Sequence, residues 1–266
     1  MKKPVAQLKP SGIITLTTDF GYHDTFIGQM KGVILSINKK AKIIDITHHI
    51  TPFCIDEASN AVSSFYKYYP EGTIHLVIVD PGVGYDREGV LIKWQNQFFI
   101  GPDNGVFTSI LMKAPAETII ALTTRKYFNP KISNTFHGRD IFAPVSAWLS
   151  KGISIFEFGK PLDNLAKLNI ELPNKSCDMI IGHIQHIDNF GNLFTNIDEE
   201  LLKDRNFVII INNKEIKPVS TYKEAKNKGI SCLINSSGYL ELFFYEGNCA
   251  NLTKLKKGDT ISVRLK

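Results

Sequence analysis

The run Asp80-Pro81-Gly82-Val83-Gly84-Tyr85 follows directly on the apolar stretch Ile74 to Val79, and Arg87 stands just beyond it. A carboxylate and a guanidinium thus face each other across a Gly-rich turn. Such a pair can belong to a site that carries chemistry, or simply hold a loop by a salt bridge. A third group comes later. Thr135-Phe136-His137-Gly138-Arg139-Asp140 sets an imidazole, the usual proton handler near neutral pH, beside a glycine that allows close backbone approach to a ligand. Two more strand ends carry polar residues: Asp19-Phe20-Gly21 behind Ile13 to Thr18, and Thr47-His48-His49 behind Lys42 to Ile46.

The remaining histidines (His23, His75, His183 and His186) read as packing residues. So do His48 and His49, although a place at a strand end also brings them within reach of a cleft. Asp80, His137 and Asp19 are metal-ligating types, but no H-x-x-H or H-E-x-x-H spacing supports a site, and no metal is expected. Asp188 to Asn196, Asn235 to Gly238 and Gly247 to Ala250 are rich in Asx and Gly, which form turns for backbone reasons alone. No Walker loop or dinucleotide-binding glycine fingerprint appears, so phosphate binding finds little support.

The elements that position these groups follow from periodicity. Ile74 to Val79 is short, β-branched and stopped by Asp, Pro and Gly, as a core strand of a parallel sheet reads. Ligands of open α/β sheets gather outside the carboxyl ends of such strands. A helix capped by Asp24 is expected to run to Ile37, and a second from Ile55 to Tyr68. Strands alternating with helices up to about residue 160 imply right-handed βαβ crossovers and a doubly wound layer. Beyond about residue 176 the pattern turns to strands and turns, as in a compact barrel or sandwich. Pro161 to Lys175 is polar with proline near both ends and reads as a linker. The expectation is an α/β chain: a Rossmann-like domain over residues 1–165 and a β-barrel domain over residues 176–266.

Composition narrows the classes. The chain has 266 residues, 43% of them hydrophobic, enough for a substantial core. Its net charge of +5 comes from dispersed lysines, which fit a solvated surface and not a nucleic-acid stripe. Four cysteines without a C-x-x-C pair argue against a zinc ribbon or a redox dithiol. No apolar stretch nears the ~20 residues that span a bilayer. Met1 to Pro10 is basic with no apolar run behind it, so no secretory signal and a cytoplasmic location are expected.

In combination these segments resemble one family, the S-adenosyl-L-methionine (SAM) hydroxide adenosyltransferases, SAM hydrolases related to the bacterial fluorinase and chlorinase. The resemblance runs from about Ile13 to the C-terminus. It rests on TTDFG at Thr17 to Gly21, DITHHITPF at Asp45 to Phe53, VDPGVG at Val79 to Gly84 and GPDNG at Gly101 to Gly105. TFHGRD at Thr135 to Asp140, DNFGNLFTN at Asp188 to Asn196 and NSSGYLE at Asn235 to Glu241 complete it. Each is weak alone; seven in order are specific.

The resemblance implies an N-terminal α/β domain, a C-terminal barrel, and homotrimers whose sites lie between neighbouring subunits. It implies that Asp19 holds the ribose hydroxyls, Phe53 and Phe136 wall the nucleoside, and Asn192 reads the adenine edge with backbone near Cys249. Asp188 and Ser236 would hold the amino and carboxylate groups of methionine. The hydrolytic triad would be Asp80, Arg87 and His137, with SAM the substrate, adenosine and L-methionine the products, and no cofactor. The fluorinase carries Tyr at the positions of Asp80 and His137 and a halide-contacting Ser at that of Gly138. The chlorinase shares Gly there. Ser237 stands where the halogenases carry Arg. Three readings therefore remain: SAM hydrolysis, chloride-dependent formation of 5′-chloro-5′-deoxyadenosine, and a SAM or adenosine binder without turnover.

Overall fold

The structure is a computed structural model describing residues 8–203, 205–211 and 214–266. The basic start of the chain before Leu8 lies outside the described residues. The chain divides into two compact units, the first ending at Asn169 and the second running from Ile170 to Lys266.

The first unit contains β1 (Ile13–Thr18), α1 (Phe26–Ile37), β2 (Lys42–Thr47), α2 (Ile55–Phe65), β3 (Ile74–Ile78), β4 (Gly89–Trp94) and β5 (Gln97–Pro102). After these come α3 (Thr108–Leu111), β6 (Thr118–Leu122), α4 (Ala143–Ser150) and β7 (Gly159–Pro161). The sheet order is β2-β1-β3-β5-β4-β6-β7. The strands β2, β1, β3 and β5 run parallel, which makes this unit Rossmann-like α/β. Every residue of β3 is buried, because the sheet is covered on both faces. Ile14, Leu16 and Ile78 pack with Met30 and Ile34 of α1 on one side. Val77, Trp94 and Phe99 pack with Ala58 and Val62 of α2 on the other.

Two expectations need correction. The doubly wound alternation stops after β3: β4 and β5 form an antiparallel hairpin, and β6 and β7 are antiparallel as well. The hairpin turns at Gln95 (φ 44°) and Asn96 (φ 59°), the pair of left-handed residues that a tight two-residue turn needs. The second concerns Asp24. Thr25 occupies the cap position of α1, with no side-chain capping bond. Aromatic packing starts this helix instead, Phe26 meeting Phe20 and Phe136 edge to face at 5.8 and 5.2 Å.

The segment behind β7 is tied to the first unit, Ala166 N–H donating to Asp103 Oδ1 (2.8 Å) and Leu168 N–H to Thr108 Oγ1 (2.9 Å).

The second unit holds β8 (Asn174–Lys175), β9 (Met179–Ile187), β10 (Leu193–Asp198), α5 (Glu199–Leu202), β11 (Phe207–Ile211) and β12 (Lys214–Ile216). Then follow β13 (Ile230–Ile234), β14 (Tyr239–Phe244), α6 (Cys249–Thr253) and β15 (Thr260–Leu265). They run in the order β12-β11-β15-β9-β10-β14-β13, with β8 beside β9, as a nearly closed antiparallel barrel. Alternate residues such as Ile180, Ile184, Leu193, Leu240 and Leu242 fill its core, the period expected of strands wet on one face. Among the described residues no helix is long and apolar enough to cross a membrane.

Candidate active site

The carboxyl ends of β1 and β3 open onto one cleft of about 310 Å³, near the lower end of the range for ligand sites. Asp19, Phe53, Asp80, Phe136, His137 and Gly138 all line it, bringing together six of the residues singled out in the sequence. Phe20, Pro52 and Thr135 also line it. Sequence reading did not assign them, though each sits inside or beside one of the quoted motifs.

Asp80 and Arg87 meet in a two-pronged ion pair. Arg87 Nε donates to Asp80 Oδ1 (2.9 Å) and Nη2 donates to Oδ2. Their side chains are only 6% and 12% exposed, so neither charge could be left alone cheaply. The same Nη2 reaches His137 Nδ1 at 2.9 Å. The turn between acid and arginine is tight: Gly84 has φ +83°, and a Cβ there would lie 2.3 Å from the Asn134 carbonyl oxygen. This packs the Asp80 turn against the segment that leads to His137.

His137 itself precedes a single π-helical turn, Gly138–Phe142, that runs into α4 with Pro144 at its start. Asp140 anchors that turn. Burial works against its charge, but bonds from Arg139, the Ser133 N–H and Asn129 win and hold the carboxyl well below the usual carboxylate range. Arg139 also lies 5.1 Å over the Phe136 ring, which Phe20 and Phe26 brace from other sides. Phe136 therefore presents a fixed surface to the cleft. Burial, then the charge of Arg87, lowers the basicity of His137, against opposing pulls from Asp80 and Asp140.

Asp19 Oδ2 accepts the Phe53 N–H (2.9 Å). Burial lifts its carboxyl above the ordinary value, the Phe53 bond opposes this, and the charge of Asp80 adds to it. Phe53 holds φ at +68°, uncommon for an aromatic residue, and the residue is 71% exposed. A strained backbone carrying an exposed ring belongs at a ligand site more readily than in a scaffold.

The barrel unit gathers a second set. Asp188 Oδ1 accepts the N–H groups of Phe190 (2.9 Å) and Asn192 (2.8 Å), and Asn192 Nδ2 donates to Oδ2 (3.3 Å). Ala250 N–H donates to the Gly191 carbonyl (2.9 Å), joining this turn to the start of α6 at Cys249. The Cys249 thiol is fully buried, and burial pushes it up to about 12, so it is no nucleophile. Ser236 and Ser237 are exposed in a turn whose Asn235 Oδ1 accepts the Ser237 N–H (2.9 Å). Glu241, unassigned in the sequence reading, is fully buried and accepts a bond from Tyr222 OH (2.8 Å). Its place within NSSGYLE was the available signal. Among the described residues, no cluster of three or more His, Cys, Asp or Glu is arranged to hold a metal.

Comparison with known proteins gives a consistent result. Residues 14–159 match the description "SAM hydroxide adenosyltransferase N-terminal domain", and residues 182–262 its C-terminal counterpart. The chain is 37% identical to an (R)-S-adenosyl-L-methionine hydrolase of Methanocaldococcus jannaschii, over 94% of this chain and 95% of that one. It is 26% identical to a fluorinase of an Actinoplanes species, over 94% and 97%. An uncharacterized conserved protein from Thermotoga maritima superposes with a TM-score of 0.88 at 33% identity, over 94% of this chain and 99% of that one.

Proposed function

The chain belongs to the SAM hydroxide adenosyltransferase family, and we propose that it hydrolyses S-adenosyl-L-methionine to adenosine and L-methionine. The observation that carries this reading is the hydrogen-bonded set Asp80, Arg87 and His137, whose Asp80 and His137 line one cleft. It offers a water both an acceptor and a donor, where a halide could use only the donor.

Water oxygen attacks the ribose C5′, the C5′–S bond breaks, and its electron pair leaves with sulfur as the neutral thioether of methionine. One proton is released. Charge is lost from the sulfonium in the transition state, so a site that excludes bulk water favours the step. An in-line approach, water opposite sulfur, supplies much of the rest.

Hydrogen-bond chemistry divides the roles. A guanidinium only donates, so His137 Nδ1 must accept from Arg87, and the proton of the neutral ring sits on Nε2. His137 is then a donor that orients the attacking oxygen. Asp80, whose oxygens keep free lone pairs beside the Arg87 bonds, takes the proton. Arg87 fixes both partners and steadies developing negative charge on the nucleophile.

Asp19 holds the ribose hydroxyls, Phe53 and Phe136 enclose the nucleoside, and Gly138 lines the cleft beside them. On the barrel unit, Asn192 and backbone near Cys249 read adenine, while Asp188 and Ser236 hold the methionine end. The enzyme acts as a cytoplasmic homotrimer with sites between subunits. It uses SAM as substrate, with no cofactor, nucleic acid or membrane involved. Fluorinase relatives keep the halide reading in view, but Asp80 and His137 favour water.

The test is incubation of purified protein with SAM and chromatography of the nucleosides. Adenosine above the uncatalysed background is expected. SAM recovered intact after long incubation would favour a binder, and 5′-chloro-5′-deoxyadenosine at high chloride would favour the halogenase.

A further inference from the structure

His48 is fully buried, yet it contacts groups on three sides. Its Nδ1 is 2.8 Å from Thr18 Oγ1 at the end of β1. Its Nε2 is 3.2 Å from Asp45 Oδ1 on β2, at ion-pair distance though poorly aligned for a full hydrogen bond. Its carbonyl accepts the Gly21 N–H at 2.7 Å. Asp45 is in turn held by Lys31 Nζ (2.6 Å), and the Tyr22 ring stands edge-on to the imidazole at 5.0 Å. The proton on Nε2, facing the carboxylate, leaves Nδ1 as acceptor. Thr18 then donates to His48 and accepts the Phe20 N–H (3.2 Å). Burial keeps this imidazole neutral by lowering its basicity, the Asp45 contacts acting the other way.

These bonds cross-link the two loops that build the nucleoside side of the cleft. Residues 18–21 carry Asp19 and Phe20; residues 48–53 carry Pro52 and Phe53. Gly21 N–H to the His48 carbonyl, Ile50 N–H to the Thr18 carbonyl (3.4 Å) and Phe53 N–H to Asp19 Oδ2 (2.9 Å) span the gap. The Thr18–His48 bond joins them from beneath. The left-handed Phe53 donates its N–H to the opposite loop, so the cross-link bears on where both the carboxylate and the ring point.

We propose that His48, seated by Asp45 and Lys31 and gripping Thr18, is a positioning residue for ribose recognition. It sets the Asp19 carboxylate at the distance from Phe53 at which it can bind the ribose hydroxyls. The inference rests on the adenosine-forming reading above.

The test compares the dissociation constants of adenosine and 2′-deoxyadenosine by calorimetry, in the unaltered protein, His48→Leu and Thr18→Val, with melting temperatures alongside. In the unaltered protein adenosine is expected to bind at least about tenfold tighter than its deoxy analogue. In both variants that preference should fall to about twofold, chiefly through weaker adenosine binding. His48→Asn, whose amide oxygen can accept the Thr18 hydroxyl, should recover most of it. A merely structural histidine would weaken both nucleosides equally. An unchanged preference in either folded variant overturns the proposal, and so does failure of both to fold, which would make the contact a requirement of the fold alone. Unaltered protein that binds no adenosine overturns the substrate reading and this inference with it.

Discussion

Arg87 Nη2 lies 2.9 Å from His137 Nδ1 while also bonded to Asp80, so a single guanidinium nitrogen fixes both the acid and the tautomer of the imidazole. Protonating His137 would set two donors against each other and break that arrangement. Burial and Arg87 both keep the protonation midpoint below the ordinary 6.5. Hydrolysis should therefore hold level as pH falls through 6.5 and decline only further down. A kcat/KM profile that halves at or above pH 6.5 would contradict this tautomer.

Arg87→Lys keeps the charge but loses the fork that binds Asp80 twice. We expect kcat to drop at least about 100-fold, with adenosine affinity within about threefold of the original, since neither arginine nitrogen is assigned to the nucleoside. Arg87→Ala goes further, leaving a carboxylate whose side chain is 6% exposed without its partner, and should cost about 3 kcal/mol of stability. Single-turnover kinetics and urea unfolding separate the two effects.

His75 supplies a stability prediction away from the cleft. It is buried, with Nε2 on Gln97 Oε1 (2.6 Å) and Nδ1 beside Thr15 Oγ1 (2.8 Å), and burial lowers its midpoint from 6.5 to about 4. The unfolded chain takes up this proton first. Stability should then fall as pH drops from 6.5 towards 4, by about 3 kcal/mol over the window. Denaturant unfolding at both ends measures it, and His75→Gln should flatten the difference.

At Phe53, two substitutions separate ring from backbone. Both Phe53→Ala and Phe53→Gly remove the exposed ring and should weaken adenosine binding about tenfold. Only glycine relieves the φ of +68°, so the Gly variant should be about 1 kcal/mol more stable than the Ala variant. Equal stabilities would show that the left-handed backbone carries no strain.

Much of this was legible in the sequence for a definite reason. Asp80 and Asp19 stand directly behind strands whose apolar residues have nowhere to go but a covered sheet, and the ends of such strands are where clefts form. The turn to an antiparallel hairpin was less visible. Its signal is only Gln95-Asn96, where glycine is more usual. The left-handed Phe53 has no local signature, and its N–H donates to Asp19, 34 positions earlier, a partner that local sequence does not show. His48 read as packing with a possible reach to the cleft. It is packing, but its ring bonds between loops that sequence proximity does not join. The meeting of the Asp188 turn with Cys249 depends likewise on barrel closure, which brings Gly191 and Ala250 within a 2.9 Å bond.

Gly138 tests whether water is chosen by what is present at the site or by what is missing. A Cβ built there would lie 3.1 Å from Phe136, 3.3 Å from Ile78 and 3.4 Å from Met30, tighter than ordinary contacts. Phe136 is clamped by Arg139, Phe20 and Phe26, so it cannot easily yield. Gly138→Ser should lose about 1–2 kcal/mol of stability from overpacking and hydrolyse SAM about tenfold more slowly, as the crowded Phe136 shifts against the substrate. It should still make adenosine and no 5′-chloro-5′-deoxyadenosine at molar chloride, because Asp80 and the Nε2–H of His137 continue to bind water where a halide would have to sit. Appearance of the chlorinated nucleoside would instead place the choice of nucleophile in residue 138, and would remove Asp80 from the role assigned to it.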